Sequence, residues 1–301
     1  MLKKVFGRAT AVAPDEAACL AICRAGVGKD VLAPFEGSSE LPAGGDEEET
    51  TLLMRYLRAE KLDAVKALSR LQKQSAWRKG FGRVEEEDVA PELALGKVQL
   101  QLPTDESAGR PLLIIKGRLH RPGVAPQLMN NFIYFCLEAS SHYCHHPANP
   151  DGKLVAVFDL SGLQIKNLDA SALRASFAML EQHFPERILD IWMLEAPTIF
   201  WGLWKLVSPF IDPSTRKRIH FVYGADGRKQ LVESMGLEIT PVEFGGTAAE
   251  VAVEAAVQQL PAWRQKHQLP PCLVSPTPKG QLRVSRSSPT LAHQAEVEAC
   301  A

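Results

Sequence analysis

The 301-residue chain is poor in the features that decide function most quickly. It has no apolar run of the 18 or more residues that a membrane-crossing helix needs, so nothing in it reads as a span. Charge of neither sign is in excess: the net charge is −1, which argues against a general nucleic-acid binder and leaves room only for a local basic patch. Six cysteines, at 19, 23, 136, 144, 272 and 300, are scattered without a disulfide framework, as suits a reducing compartment. Met1-Leu2-Lys3-Lys4 is not followed by the long apolar stretch of a secretory signal, and an organelle transit peptide draws only weak support from a serine-poor N-terminus. Catalytic fingerprints are missing as well. No G-x-G-x-x-G follows a strand-like run, and no G-x-S-x-G elbow is present. Gly26-Val27-Gly28-Lys29 ends in Asp30 where a phosphate loop needs Ser or Thr. His142, Cys144, His145 and His146 form the one metal-like cluster, read as a surface helix end rather than a ligand set because no second pair stands at finger spacing. The chain therefore reads as a non-enzyme with neither catalytic residues nor metal ligands.

The chain does have enough apolar residues, 46%, for a full core. Residues 1–45 are rich in Ala, Gly and Pro and read as mostly flexible, with one short helix around Asp15–Arg24. Residues 46–90 read as a small helical subdomain: Asp46 is a candidate N-cap for a helix ending near Ala59, and Asp63 caps a second whose Ala64, Ala67, Leu68 and Leu71 follow helical spacing. Between residues 91 and 268 strands and helices alternate. Val98–Leu102 reads as a half-exposed strand, and Leu112–Ile115, Leu154–Asp159, Ile188–Leu194 and Ile219–Tyr223 as further strands. Helices are expected over Pro126–His145, Asp169–Phe184, Arg228–Met235 and Glu250–Gln265, which predicts an α/β domain with a mostly parallel sheet. Residues 269–301 read as a disordered tail, with Arg283–Thr290 a candidate docking segment.

Thr198–Val207 stands out. Nearly every position is apolar, and Lys205 is its one charge. Such a helix is buried all round or touches lipid, and at about ten residues it is too short to cross a bilayer. Ordinary core is one reading; a surface that meets headgroups is the other, and Trp201 and Trp204 beside Lys205 suit it.

Several blocks in order resemble the CRAL-TRIO lipid-binding family, in particular the yeast-type phosphatidylinositol transfer proteins. They are Leu53–Asp63 with Trp77-Arg78-Lys79, Asp159-Leu160-Ser161-Gly162, Phe184-Pro185-Glu186-Arg187, Glu195-Ala196-Pro197, Pro209–Lys217, and Pro241–Gly246. The resemblance covers about Asp46–Lys266. It implies a hollow domain holding one hydrophobic ligand, closed by a gate helix over Thr198–Val207 with Phe200, Trp201, Leu203, Trp204 and Val207 as its working residues. It also implies a headgroup site at Lys61, Glu186, Thr215 and Arg218, with Arg where the family has Lys and with Glu60 where a second basic residue is common. Leu113, Leu154 and Ala156 stand where members that also carry phosphatidylcholine have hydroxyls, so that lipid is disfavoured. The implied protein is a monomeric, cytoplasmic, transiently membrane-associated carrier whose only bound group is its phospholipid, with no nucleic-acid partner. A carrier of a neutral hydrophobe (sterol-, squalene- or tocopherol-like) and a lipid-regulated scaffold stand as alternatives.

Overall fold

A computed structural model of the chain describes residues 15–272. The expectations for residues 1–14 and 273–301, among them the transit peptide and the docking segment, fall outside the described residues. A single five-stranded sheet organises the domain: β1 (Val98–Gln101), β2 (Leu112–Lys116), β3 (Leu154–Asp159), β4 (Ile188–Leu194) and β5 (Ile219–Val222), side by side in chain order. β1 and β2 are antiparallel, being joined by a turn-rich connection, and the other pairs are parallel. Parallel neighbours need long crossovers, and right-handed crossovers between strands in sequential order bring their helices to one face. Those helices are α6 (Pro126–His142), α7 (Ala170–His183) and α8 (Thr198–Val207). Period-2 alternation divides the strands accordingly. Leu113, Ala156, Ile191 and Met193 face the crossover helices. Leu112, Ile114, Val155, Val157 and Leu194 pack on the other face with Leu231 and Met235 of α10 (Gly224–Met235).

β1 was expected to be half-exposed and is buried throughout. A segment distant in sequence covers its outer edge: Leu100 N–H donates to Val251 O (2.9 Å), and the Gln99 side-chain amide reaches Glu250. α11 (Val253–Lys266) follows directly.

The N-terminal region also departs from expectation. Residues 15–41 carry helices and pack into the fold. Asp15 caps α1 (Glu16–Gly26), and α2 (Lys29–Leu32) and a 3₁₀ turn lead to Phe35, which is fully buried. α3 (Asp46–Ala59) has Gly45 as its N-cap, so Asp46 is the first helical residue and serves the dipole rather than the cap. Asp63 does cap α4 (Ala64–Phe81), accepting from Lys66 N–H at 3.1 Å. Phe35, Leu41, Leu52, Tyr56 and Leu71 form a core of their own. Ion pairs tie this layer to the sheet. Glu40, 2% exposed, lies between Arg55 and Arg187, and Arg187 donates to Gly152 O (2.9 Å) and Ser39 O (3.2 Å). A 3₁₀ turn and α5 (Ala90–Leu93) bridge α4 to β1.

The histidine cluster is turned inward and not a surface helix end: Cys144 and His146 are buried, and His142 and His145 half-buried. α6 stops at His142 and a 3₁₀ turn carries Tyr143–His145 inward, where His145 Nε2 meets Ser39 O at 2.7 Å. Burial pushes His142 down to about 4 and His145 well below the usual imidazole range.

Candidate functional site

The sheet and its crossover helices do not close on each other. Between them lies a cavity of about 160 Å³. Leu113, Ile115, Ala156, Phe158 and Ile191 of the sheet form its floor, and Met129, Phe132 and Phe177 of α6 and α7 part of its walls. Its middle is almost wholly hydrocarbon. Leu113 and Ala156, two of the three positions where hydroxyls were sought in the sequence, line it, and Leu154 is buried beside it.

α8 closes one side. Its bounds match the apolar run, yet it is not surrounded by protein. Phe200 and Leu203 turn into the cavity, and Val207 is fully buried. Trp204 lies between Phe177 and Phe221, ring centroids 6.4 and 5.3 Å away. Trp201, tilted against Phe221 with ring centroids 4.8 Å apart, is 38% exposed, and Leu206 and Phe210 are each 62% exposed. The helix thus shows hydrocarbon on both its inner and outer sides. Ser208-Pro209-Phe210 forms the 3₁₀ turn after it, and α9 (Pro213–Arg216) begins behind the Asp212 cap.

The four sequence-derived headgroup positions sit at the N-terminal edge of the parallel strands and near it, and none of them is among the residues lining the cavity. Glu186 and Arg218 come together: Arg218 Nη2 lies 3.5 Å from Glu186 Oε2, and Arg218 Nη1 donates to Ile188 O at 2.6 Å. Lys153, which the sequence reading missed, is also on Glu186 at 3.2 Å. Only its position just before a strand could have pointed to it. Thr215 is one turn away on α9 and hydrogen-bonds Glu181, whose carboxyl is nevertheless raised by burial. Lys61 is exposed and approaches this group through Asp212. The Ser214 hydroxyl and N–H, chiefly, and the Lys61 charge more weakly, hold the Asp212 carboxyl down. Two of the four, Lys61 (φ 54°) and Glu186 (φ 56°), have left-handed backbone, which non-glycine residues rarely adopt.

The opposite end of the cavity holds polar groups that the sequence reading passed over: Lys97, His120, Asn167 and Asp169. Among the described residues no His/Cys/Asp/Glu group has the geometry to hold a metal ion. A second, more polar hollow lies between residues 30–38 and the α4 and α6 helices, where Arg78 and Glu138 neutralise each other at 3.5 Å.

A mixed sheet carrying an apolar chamber under a short helix with hydrocarbon on both sides defines the class: a hollow α/β domain. Residues 98–246, about half of the chain, match the CRAL/TRIO domain, and the chain carries a CRAL-TRIO domain similar to those of yeast-type phosphatidylinositol transfer proteins. Its relatives include a protein named phosphatidylinositol transfer protein CSR1 from Eremothecium gossypii, 24% identical over 210 residues, or 65% of this chain and 46% of that one. The CRAL-TRIO domain-containing protein C3H8.02 of Schizosaccharomyces pombe is 25% identical over 65% of this chain and 45% of its own length. The chain thus spans less than half of either. A SEC14 cytosolic factor of Candida glabrata is 25% identical over 77% of this chain and 83% of its own. The crystal structure of Sfh5 superposes with a TM-score of 0.58 at 14% identity, covering 83% of this chain and 97% of that one, a likeness of fold.

Proposed function

We propose that the protein is a non-enzymatic lipid carrier that binds one phospholipid of the phosphatidylinositol type and exchanges it at a membrane surface through α8. The observation that carries this reading is the cavity itself, hydrocarbon in its middle and closed by a helix apolar inside and out. Hydrocarbon leaving water gains about 0.8 kcal/mol per CH₂, so two acyl chains gain on the order of 20 kcal/mol, and only an enclosure of similar apolarity can carry them through solvent. The exposed Trp201, Leu206 and Phe210 suit a face that enters the headgroup region. Among the described residues no helix is long and apolar enough to cross a membrane. Relatives named as a phosphatidylinositol transfer protein and as cytosolic factors favour the same lipid and a cytoplasmic site of action.

For the headgroup, Lys61, Thr215 and Arg218 supply charged and hydroxyl donors for a phosphate and a polyol, and Glu186 supplies an acceptor. The left-handed backbone at Lys61 and Glu186 supports that assignment, since such strain gathers at binding sites. Native mass spectrometry with lipid extraction, after incubation with mixed liposomes, tests it. Phosphatidylinositol is expected at one per chain and lost in Lys61→Ala, with transfer cut at least tenfold in Glu186→Lys. Transfer unchanged in both variants would refute the headgroup assignment.

A second reading, a carrier of a neutral hydrophobe, is favoured by one observation: the Glu186 carboxylate is already engaged by Lys153 and Arg218. It predicts that a neutral lipid is recovered and that Lys61→Ala retains it.

A further inference from the structure

Of the proposed headgroup residues, Glu186 precedes β4, and Thr215 and Arg218 precede β5, at the N-terminal edge of the parallel strands. The far end of the same cavity lies at their C-terminal edge, about 20 Å away along the six-residue β3. There the hydrocarbon lining gives way to a chain of polar side chains. The Lys97 ammonium pairs with the Glu92 carboxylate and also lies 3.3 Å from His120 Nδ1. His120 Nε2 lies 3.2 Å from Asp169 Oδ2. With a neutral imidazole this fixes the tautomer: Nδ1 accepts from Lys97, and Nε2–H donates to Asp169. Neutral is also the state the site imposes, because burial and then the Lys97 charge push His120 down. Asp169 is committed twice over, as it also caps α7 by accepting from Ala172 N–H at 2.9 Å.

Lys97 is the member of this chain with capacity to spare. It is 3% exposed and lines the cavity, and an ammonium has three N–H donors. Glu92 and His120 take two. Its nitrogen stands 4.7 Å from the Phe132 ring centroid, and Phe132 is itself a wall of the cavity. We infer that Lys97 offers its remaining N–H to the inner end of the ligand, and that the cavity is built for a lipid bearing a neutral acceptor oxygen (hydroxyl, ester or ketone) at that end. The charge balance selects the neutral oxygen. Lys97 is already matched by Glu92, His120 carries no charge, and Asp169 adds a negative charge that repels a carboxylate. This assignment rests on the cavity's holding a lipid and deepens the second reading, a carrier of a neutral hydrophobe, because the inner ends of plain acyl chains carry no oxygen for Lys97.

The test compares probes that differ by one oxygen. The full chain is incubated with phosphatidylcholine vesicles containing equimolar octadecanol and octadecane, and the retained ratio is read by mass spectrometry. The same is done for E92Q/K97M, which removes the ammonium without leaving a buried carboxylate unpaired. A charge-assisted hydrogen bond predicts that the octadecanol-to-octadecane ratio falls about tenfold or more in the double variant. Equal ratios in the two proteins would overturn the inference, as would stearate retained in preference to octadecanol. So would retention of neither probe by a chain that still carries phosphatidylinositol. If neither the probes nor phosphatidylinositol is retained, the carrier reading itself falls and takes this one with it. A second measurement needs no variant. 2-Octadecanone, ¹³C-labelled at its carbonyl and bound to the wild-type chain, should show its infrared stretch shifted below that in hexadecane; an unshifted band would refute the Lys97 contact.

Discussion

Ala156 is the position at which the cavity can be tested against an ordinary packed core. Its methyl group stands on the floor of the cavity at the centre of β3, between Val155 and Val157, which face the other way. In Ala156→Phe the new ring projects into empty space and not into protein. It therefore displaces ligand, about three to four CH₂ groups at ~0.8 kcal/mol each, or roughly 3 kcal/mol, which is about two orders of magnitude in affinity. The fold should lose almost nothing, and filling space can stabilise the ligand-free chain. A packed core predicts the opposite, since overpacking costs typically about 1–3 kcal/mol. Lipid per chain after exposure to liposomes, quantified by mass spectrometry, and the urea midpoint of delipidated protein read the two quantities separately. Full lipid loading in Ala156→Phe, or a midpoint lowered by the equivalent of about 2 kcal/mol, would refute the reasoning.

Other outcomes follow from single contacts. Trp204→Ala removes the indole between Phe177 and Phe221, and Trp201→Ala the half-exposed ring on Phe221; both should slow lipid exchange between vesicles several-fold, and unaltered rates in both would make α8 ordinary core. Arg187→Met deletes two donations to buried carbonyls, while Glu40 keeps Arg55, so the loss should be about 2–3 kcal/mol by urea unfolding; under about 0.5 kcal/mol would show that the N-terminal layer is not fastened there. His142 titrates at about 4 in the fold and near 6.5 unfolded, so the unfolded chain binds the proton first as pH falls. Stability is then full above about pH 6.5 and drops by roughly 2 kcal/mol at pH 5, a fall that His142→Gln should lessen and that a flat pH profile of the urea midpoint would contradict.

Strand limits were legible because charge or turn residues bound each apolar run. Ile188–Leu194 lies between Arg187 and Glu195, and its bounds in the fold are the same. α8 was legible for a similar reason, with Pro197 before it and Ser208-Pro209 after it. What local pattern could not carry is burial created by distant partners. Gln99 and Gln101 alternate with apolar residues as in an exposed edge, yet the chain near Glu250, about 150 residues on, covers them. Residues 28–41 look like linker because Glu40 finds Arg187 only across 147 positions. The cavity behaves in the same way. Leu113 and Ala156 were noted as hydrocarbon where hydroxyls were sought, and both line it. Lys97, His120 and Asp169 are unremarkable singly, and become a chain only when β1, the turn after β2 and the start of α7 meet.

The sheet's two faces have a further consequence for the life of the empty protein. One face borders the chamber, which the proposed function fills and empties. The other carries a dry, filled core of Ile114, Val155, Val157, Leu194, Leu231 and Met235 that no cargo touches. The strands are thus clamped from behind by permanent packing while their front is loaded and unloaded. Emptying the chamber takes contacts from the crossover helices and from the front of the sheet, but the sheet stays held from behind, so loosening on release should be greatest in α6, α7 and α8, while the strands and α10 keep their hydrogen-exchange protection. A container of this design can lose its contents in water and still keep its shape until the next filling.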